Sequence, residues 1–497
     1  MLDSLVEGTL LIMTLKGVLM LTCGVIIGLI FGVIPGLGGT TAIAIFVPVT
    51  YGMQPQDAMA LAGGIMGAVS FGGSITAILI NTPGTAPNAA TCFDGYPMAR
   101  QGRAGAAIGA AGASSSLGGV LGILLLVAVI PIAKLLVLSF GPPEFFMMAT
   151  LGLVCIAAST GGLFLRGLIG GAFGLMLSFV GFDAVHGGER FTLGFDALWD
   201  GVPLVPVLIG LFAVGEMINL SISGGSVMRK DVGTKIAGVW EGVVATFREW
   251  PTVIRGSAIG AVVGAIPGVG GTVAGFLAYT AAQQMSKDPD SFGKGNIIGV
   301  IAPEASNNAK DGGHLIPTLA FGIPAGAEMA VFLGLMILHG LEPGPSLLIE
   351  HEAEVFSLIV SLTISCIIAT VFGLMVTRWL ALITVIDVHI LVPTVTVLSL
   401  LGAWVLDSKI SDVVICVVFG ILGYLMIKFR FPRVTIVISL VLGDLAERSF
   451  YQSVKMEDTW TIFFTRPISL VIFMLIVVGL LVPVFRYLRT RRRDAIA

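Results

Sequence analysis

The sequence predicts an all-α integral membrane protein with about 10–12 transmembrane helices in two inverted repeats, each carrying a broken or re-entrant Gly/Pro hairpin. Three observations predict it. The composition is too apolar for water, runs long enough to cross a bilayer follow one another along the chain, and a Pro-Gly motif occurs twice in the same setting.

Of 497 residues, 56% are hydrophobic and only 11% are charged, against about 25% charged in soluble domains. A mean hydropathy of +1.00 points the same way, so lipid is the solvent for most of the surface. Glycine is abundant, at 66 residues, as expected where helices pack closely in a membrane. The net charge of -3 provides no basic field and excludes nucleic acid as a partner. Cys23, Cys92, Cys155, Cys366 and Cys416 are scattered without a CxxC pair, so buried structural thiols are expected, with no zinc site or disulfide framework. The N-terminus lacks the basic start and cleavage site of a secretory signal, and its first apolar run is expected to persist as a span.

Apolar runs cover Gly17–Ile34, Ala104–Leu138, Phe145–Leu163, Gly167–Gly181 and Val202–Ile222. After a polar break come Ile254–Ala281, Met329–His339, Val355–Thr377, Leu380–Leu401, Val413–Ile427, Val434–Leu445 and Ile468–Tyr487. The Ala104–Leu138 run is long enough for two crossings. These runs divide the chain into a first membrane repeat (1–222), a polar linker (223–253), a second membrane repeat (254–485) and a basic tail (486–497). The linker's basic excess and the tail arginines Arg486, Arg489, Arg491, Arg492 and Arg493 place both in the cytoplasm. Asp3 and Glu7, with no base before Lys16, leave the side of the N-terminus open.

The internal repeat is the most informative feature. Gly24–Thr40 reads GVIIGLIFGVIPGLGGT and Gly256–Thr272 reads GSAIGAVVGAIPGVGGT, matching at ten of seventeen positions without a gap. A fainter match downstream aligns Gly72, Ile75, Pro83 and Ala86 with Gly313, Ile316, Pro324 and Ala327. Three glycines at four-residue spacing make a smooth helix face for close packing. The Pro-Gly pair then ends the helix, because proline lacks an amide donor and glycine permits unusual backbone angles. A helix broken inside the membrane leaves amides and carbonyls that lipid cannot satisfy, so they must face protein, water or a ligand. Paired breaks of this kind mark transporter binding sites. Candidate substrate- or ion-binding residues are therefore Pro35, Gly36, Gly38, Gly39 and Thr40, with Pro267, Gly268, Gly270, Gly271 and Thr272 in the second copy.

Downstream of each copy lies a sparsely charged polar segment. The first contributes Ser74, Asn81, Thr82, Pro83, Gly84 and Thr85. The second contributes Glu304, Ser306, Asn307, Asn308, Pro324 and Gly326. Hydroxyls, amides and freed backbone groups suit sodium and carboxylate oxygens, and a half-helix N-terminus adds a positive dipole for an anion. Lys310, Asp311, His314 and Glu328 are further suspects as ionisable groups near these segments, whereas Glu216 reads as structural. No GxxxxGK[ST], HExxH or GxSxG motif is present, which argues against an ATP-driven pump or a membrane protease; the chain is expected to be no enzyme.

GLIFGVIPGLGGTTAIAIFVPVTYGMQP, GGSITAILINTPGTAPNAATCFDGYPMARQG, GAIPGVGGT and APEASNNAKDGGHLIPTLAFGIPAGAEMAVFLGLM carry a resemblance. With FTLGFDALWDGVPLVPVLIGLFAVGE before the central loop, they make the chain similar to the large membrane permease subunit of tripartite tricarboxylate transporters, over about residues 10–450. The resemblance implies a periplasmic solute-binding protein and a small four-helix membrane subunit as partners. It implies uptake of citrate, other tricarboxylates or dicarboxylates across the bacterial inner membrane, driven by a sodium or proton gradient. No cofactor is expected beyond the coupling cation, whose ligands stay open. On this reading substrate and ions bind between the Pro-Gly tips and an elevator-like motion carries them across. The rival is a passive channel whose Gly-rich re-entrant hairpins form a filter.

Overall fold

A computed structural model describes residues 1–158, 164–183, 187–223, 237–383, 388–457 and 459–494. α1 (Leu2–Ile12) precedes α2 (Leu15–Val33), which begins where the Thr14 hydroxyl accepts from the Gly17 amide at 3.0 Å, satisfying one of the free donors of a helix start. α2 stops ahead of the Pro35-Gly36 pair, and α3 (Gly38–Phe46) follows. α4 (Pro55–Ile80) opens on a proline, where a missing amide does no harm. Lys16 reaches Asp57 in its first turn at 2.7 Å. The first half continues through α5 (Cys92–Arg100), α6 (Ala104–Leu138), α7 (Pro142–Ala158) and α8 (Phe164–Ser178). A small antiparallel pair, β1 (Gly181–Phe182) with β2 (Glu189–Arg190), sets Gly181 against Arg190. α9 (Leu204–Leu208), a π-helical turn at Ile209–Val214 and α10 (Gly215–Ser223) form one apolar rod.

The second half contains α11 (Val239–Arg248), α12 (Trp250–Gly264), α13 (Gly270–Met285), α14 (Ile298–Phe321), α15 (Ala327–Leu338), α16 (Pro345–Ile349) and α17 (Glu352–Ile383). The chain ends in α18 (Val388–Asp407), α19 (Ile410–Lys428), α20 (Arg433–Glu457), α21 (Ile462–Thr465) and α22 (Pro467–Asp494). Among the described residues, seven helices are long and apolar enough to cross a membrane, so the protein is an all-α multi-pass membrane protein.

The helix breaks fall where the Pro-Gly motif puts them: α2 and α3 are separate helices, and so are α12 and α13. The glycine stripes also do what their spacing implies. A Cβ on Gly24, Gly28 or Gly32 of α2 would strike the carbonyl oxygen of Leu61, Ile65 or Val69 on α4. In the second half, Gly256, Gly260 and Gly264 of α12 meet the carbonyls of Ala302, Ser306 and Lys310 on α14 in the same way. Each of these pairs is the counterpart of one in the first half under the two sequence matches, so the internal repeat is a repeat of packing as well as of sequence.

Three expectations need correction. No apolar crossing is expected between Ile34 and Ala104 or between Ala281 and Met329, yet Pro55–Ile80 and Ile298–Phe321 are the continuous helices α4 and α14. Glycine, serine and asparagine weaken an isolated helix, but here they allow close approach: Gly63 and Gly67 of α4 lie against Ser361 and Ser365 of α17. Packing inside the protein overrides propensity. The Ala104–Leu138 run is one helix with Pro131 inside it, not two crossings. Not every cysteine is buried: Cys366 and Cys416 are, Cys92 and Cys155 are partly buried, and Cys23 is exposed, all as free thiols. Residues 224–236 of the linker lie outside the described residues, and its remainder includes α11, where Gly242 abuts Ala106 of α6.

Candidate functional site

The two Pro-Gly breaks share one backbone solution. Gly36 and Gly38 have φ of 91° and 59°, and their counterparts Gly268 and Gly270 have φ of 80° and 76°. Only glycine takes these angles without strain. The downstream breaks also correspond. α4 ends on left-handed Asn81 (φ 56°) and α14 on left-handed Gly322 (φ 67°), each satisfying carbonyls of the last turn.

The four breaks meet in a crossed arrangement. At the start of α3, Gly39 is in contact with the carboxylate of Glu328, in the first turn of α15 in the other half. Its counterpart Gly271, at the start of α13, touches the Lys310 side chain and Pro87 of the first half. Pro87 occupies the position equivalent to Glu328, so each tip is covered by the second break of the opposite half. Gly38 faces Thr85, and the Gly268 amide donates to the Ala325 carbonyl at 2.9 Å. Gly84 crosses so close to Gly32 and Gly73 that no side chain fits there, and its amide donates to the Gly73 carbonyl at 3.2 Å.

Buried charges line this centre. The Lys310 ammonium is 2.6 Å from Asp311 and in electrostatic reach of Glu328 and Glu304. His314 Nδ1 is 3.9 Å from Asp311. Asn307, Lys310, Asp311 and His314 recur every three or four residues and so share one face of α14. Asn307 is 0% exposed, yet neither atom of its amide has a partner. Both ring nitrogens of His314, Ser306 Oγ, Asn308 Oδ1 and Glu328 Oε1 are likewise buried without one. Buried polar atoms are nearly always hydrogen-bonded, so this concentration stands out. Among the described residues no three His, Cys, Asp or Glu side chains lie close enough to hold a metal ion.

Glu304 is different: it is fully engaged. Ser74 Oγ donates to its Oε2 at 2.6 Å. Asn88 Nδ2 donates to Oε1 at 3.2 Å, and Thr91 Oγ1 also donates to Oε1. Asn88 further donates to the Ser70 carbonyl at 3.0 Å. These bonds fasten the 3₁₀ turn Ala86–Ala89, hence the cover of the α13 tip, to α4 and α14. Asn88 and Thr91, both 0% exposed, were not singled out from the sequence as site residues. Their only signal was polar character beside a Pro-Gly turn.

The remaining candidates divide by position. Pro35, Thr40, Pro267, Thr272, Pro83 and Gly326 are partly buried around the breaks, and Pro324 is buried. Asn81 and Thr82 are exposed and stand apart from the buried cluster. Asn81 acts through its backbone, as a helix cap. Ser306 and Asn308 leave the shared face of α14: Ser306 packs against Gly260 of α12, and Asn308 lies against Cys366 of α17 at 3.6 Å. Glu216, beside Gly36, pairs with Arg433 at 3.1 Å. Arg433 also donates to the Leu211 carbonyl at 3.0 Å, inside the π-helical turn. Arg433 and Glu216 are more than 200 residues apart, so nothing local in the sequence announces their pair.

A multi-pass α-helical protein whose paired helix breaks meet around buried charge has the architecture of a membrane transporter. The chain belongs to the tripartite tricarboxylate transporter TctA family, whose model matches residues 18–438. It is 34% identical over 450 residues to an uncharacterized 52.8 kDa protein in the TAR-I ttuC' 3'region of Agrobacterium vitis, covering 90% of this chain and 89% of that protein. An uncharacterized protein in the TAR-II ttuC' 3'region of the same organism is 32% identical over 212 residues, which is 42% of this chain and 87% of that protein.

Proposed function

We propose that this protein is the large permease subunit of a binding-protein-dependent secondary transporter, taking up tricarboxylates or related small organic carboxylates by alternating access. Its site lies between the tips of α3 and α13. A periplasmic solute-binding protein delivers the substrate, and a small four-helix membrane subunit completes the assembly. A sodium or proton gradient drives uptake across the bacterial inner membrane, with the C-terminus in the cytoplasm. The two halves are related by inverted topology.

One observation carries the reading: the reciprocal contacts of Gly39 with Glu328 and of Gly271 with Pro87. Contacts that exchange equivalent positions are what a two-fold relation between halves produces, and transporter sites sit at such repeat interfaces. Charge supports the coupling. The centre holds Lys310 against Asp311, Glu304 and Glu328, an excess of acid, and a polyanionic substrate adds more. Uncompensated burial of that charge costs many kcal/mol, so a cation must accompany the substrate.

The test is uptake into proteoliposomes holding the chain and its purified partner subunits, with sodium and proton gradients imposed separately on radiolabelled citrate and succinate. Saturable accumulation that collapses with one gradient is expected. Single-channel currents, or uptake indifferent to both gradients, would replace the carrier by a pore.

A further inference from the structure

The two tips are equivalent in backbone but opposite in the charge that faces them. Val69 and Lys310 are counterparts, as are Pro87 and Glu328. A Cβ on Gly39 would meet Glu328 and Val69; one on Gly271 would meet Lys310 and Pro87. The α3 N-terminus therefore has a carboxylate against it, whereas the α13 N-terminus has the stem of Lys310, whose ammonium is paired with Asp311.

We propose that the tips divide the ligands, the α13 tip with Lys310 and Asn307 receiving a carboxylate group of the substrate and the α3 tip receiving a sodium-sized cation through Glu328. The assignment rests on the carrier reading above and refines it.

The physical case has two parts. A helix N-terminus attracts an anion through its free amides and dipole. At α3 this attraction is answered internally by Glu328, whose Oε1 is buried with no hydrogen-bond partner. That oxygen is left to a cation. At α13 the side chains nearest Gly271 are Lys310 and Pro87, and the neighbouring Asp311 is engaged by the Lys310 ammonium. Asn307, one helical turn from Lys310 on the same face of α14, is completely buried with its amide wholly unpartnered. An amide one helical turn from an ammonium whose stem touches the α13 N-terminus supplies the donors that a carboxylate group needs. Lys310 is the only buried cation on that face, and its pairing with the adjacent Asp311 keeps it in place without a ligand. The absence of a three-ligand His, Cys, Asp or Glu cluster among the described residues fits a monovalent ion held by one carboxylate and neutral oxygens better than a transition metal.

The experiment uses the full chain in lipid nanodiscs, with radiolabelled sodium binding measured without organic acid and citrate binding measured at saturating sodium. Glu328→Gln is expected to raise the half-saturating sodium concentration at least tenfold and to leave citrate binding within about threefold. Because Lys310→Gln alone strands a buried acid and risks misfolding, the neutral pair Lys310→Gln/Asp311→Asn is used with it. Both are expected to weaken citrate binding at least tenfold and to leave sodium binding within about threefold. Parallel losses in both variants would overturn the division in favour of one undivided site, as would the reverse pattern or unchanged binding in both. A wild-type chain that transports carboxylates yet binds no sodium would overturn the cation assignment alone. A wild-type chain that neither binds nor transports carboxylates would instead remove the carrier reading beneath it.

Discussion

Replacing Glu304 by glutamine tests whether its carboxylate holds the two halves in register. The side chain is 0% exposed and accepts from Ser74, Asn88 and Thr91. Glutamine keeps the shape but has one acceptor oxygen. The least disruptive orientation keeps that oxygen toward Asn88 and Thr91 and turns the new NH₂ toward Ser74. Ser74 can then accept, because its own hydroxyl already has the Ser70 carbonyl at 3.0 Å as a second acceptor. No donor is stranded, so the loss is mainly the charge assistance of three hydrogen bonds. Polar couplings inside membrane proteins average about 0.6 kcal/mol, and hydrogen bonds to charged groups in soluble proteins reach about 1.5–3 kcal/mol. Glutamine keeps neutral bonds, so each loses about 0.6–1.5 kcal/mol, and three bonds bracket the loss at about 2–4.5 kcal/mol. Glu304→Ala strands all three donors and should exceed this. The assay is equilibrium unfolding in mild detergent for Glu304→Gln, Ser74→Ala and the double variant, read as a double-mutant cycle. A coupling of about 1–2 kcal/mol is expected. A Glu304→Gln protein within about 0.5 kcal/mol of wild type, with no coupling to Ser74, would refute the clamp.

Leucine at Gly28 or Gly260 should abolish accumulation of monodisperse protein to the same degree, since each would drive a side chain into a backbone carbonyl of the facing helix that cannot swing away; size-exclusion profiles check it. At Gly270 nothing lies within 4 Å of a would-be Cβ. The penalty there is the left-handed backbone alone, about 1–2 kcal/mol, so Asn should retain more uptake than Val at matched expression. Tryptophan at both Gly36 and Gly268 should abolish uptake while the chain still inserts; normal uptake by that variant would dismiss the tips as the site. Arg433→Gln should lower stability by about 1–3 kcal/mol, because it leaves Glu216 without its ion pair in a largely buried setting. Much of that loss should return in Arg433→Gln/Glu216→Gln, measured by thermal unfolding.

What could be read from the sequence was periodic or punctuated. Glycine every fourth residue announced the close packing of α2, and the Pro-Gly pairs announced both helix breaks, because each effect is local to a few residues. The helices α4 and α14 were hidden. Their Gly, Ser, Asn and Pro content opposes helix formation in isolation, and the buried environment that overrides it comes from α6, α12 and α17, distant in sequence. For the same reason Lys310 could not be told from an interfacial charge, and the partnership of Glu304 with Thr91 across the halves left no trace in spacing. Asn81 is the opposite case. Its amide suggests a ligand, and its position also demands a residue tolerant of the left-handed backbone, a requirement that its residue type alone does not announce.

The packing also constrains how such a site could move. Along α2 and α4, and again along α12 and α14, helix backbones touch at every glycine of the stripe. Interfaces that tight do not slide by small amounts, because each register would drive carbonyls into the opposing backbone. The breaks are tied as well: Glu304 of α14 grips Asn88 and Thr91 across the halves, and within the second half the Gly268 amide holds the Ala325 carbonyl. A tip therefore cannot shift alone without breaking backbone hydrogen bonds or stranding a buried carboxylate. On the proposed carrier reading, the tips, α2–α4 and α12–α14 travel as one rigid body. The relative displacement then falls on contacts of this body with helices outside it, such as that of Gly36 with Glu216 of α10.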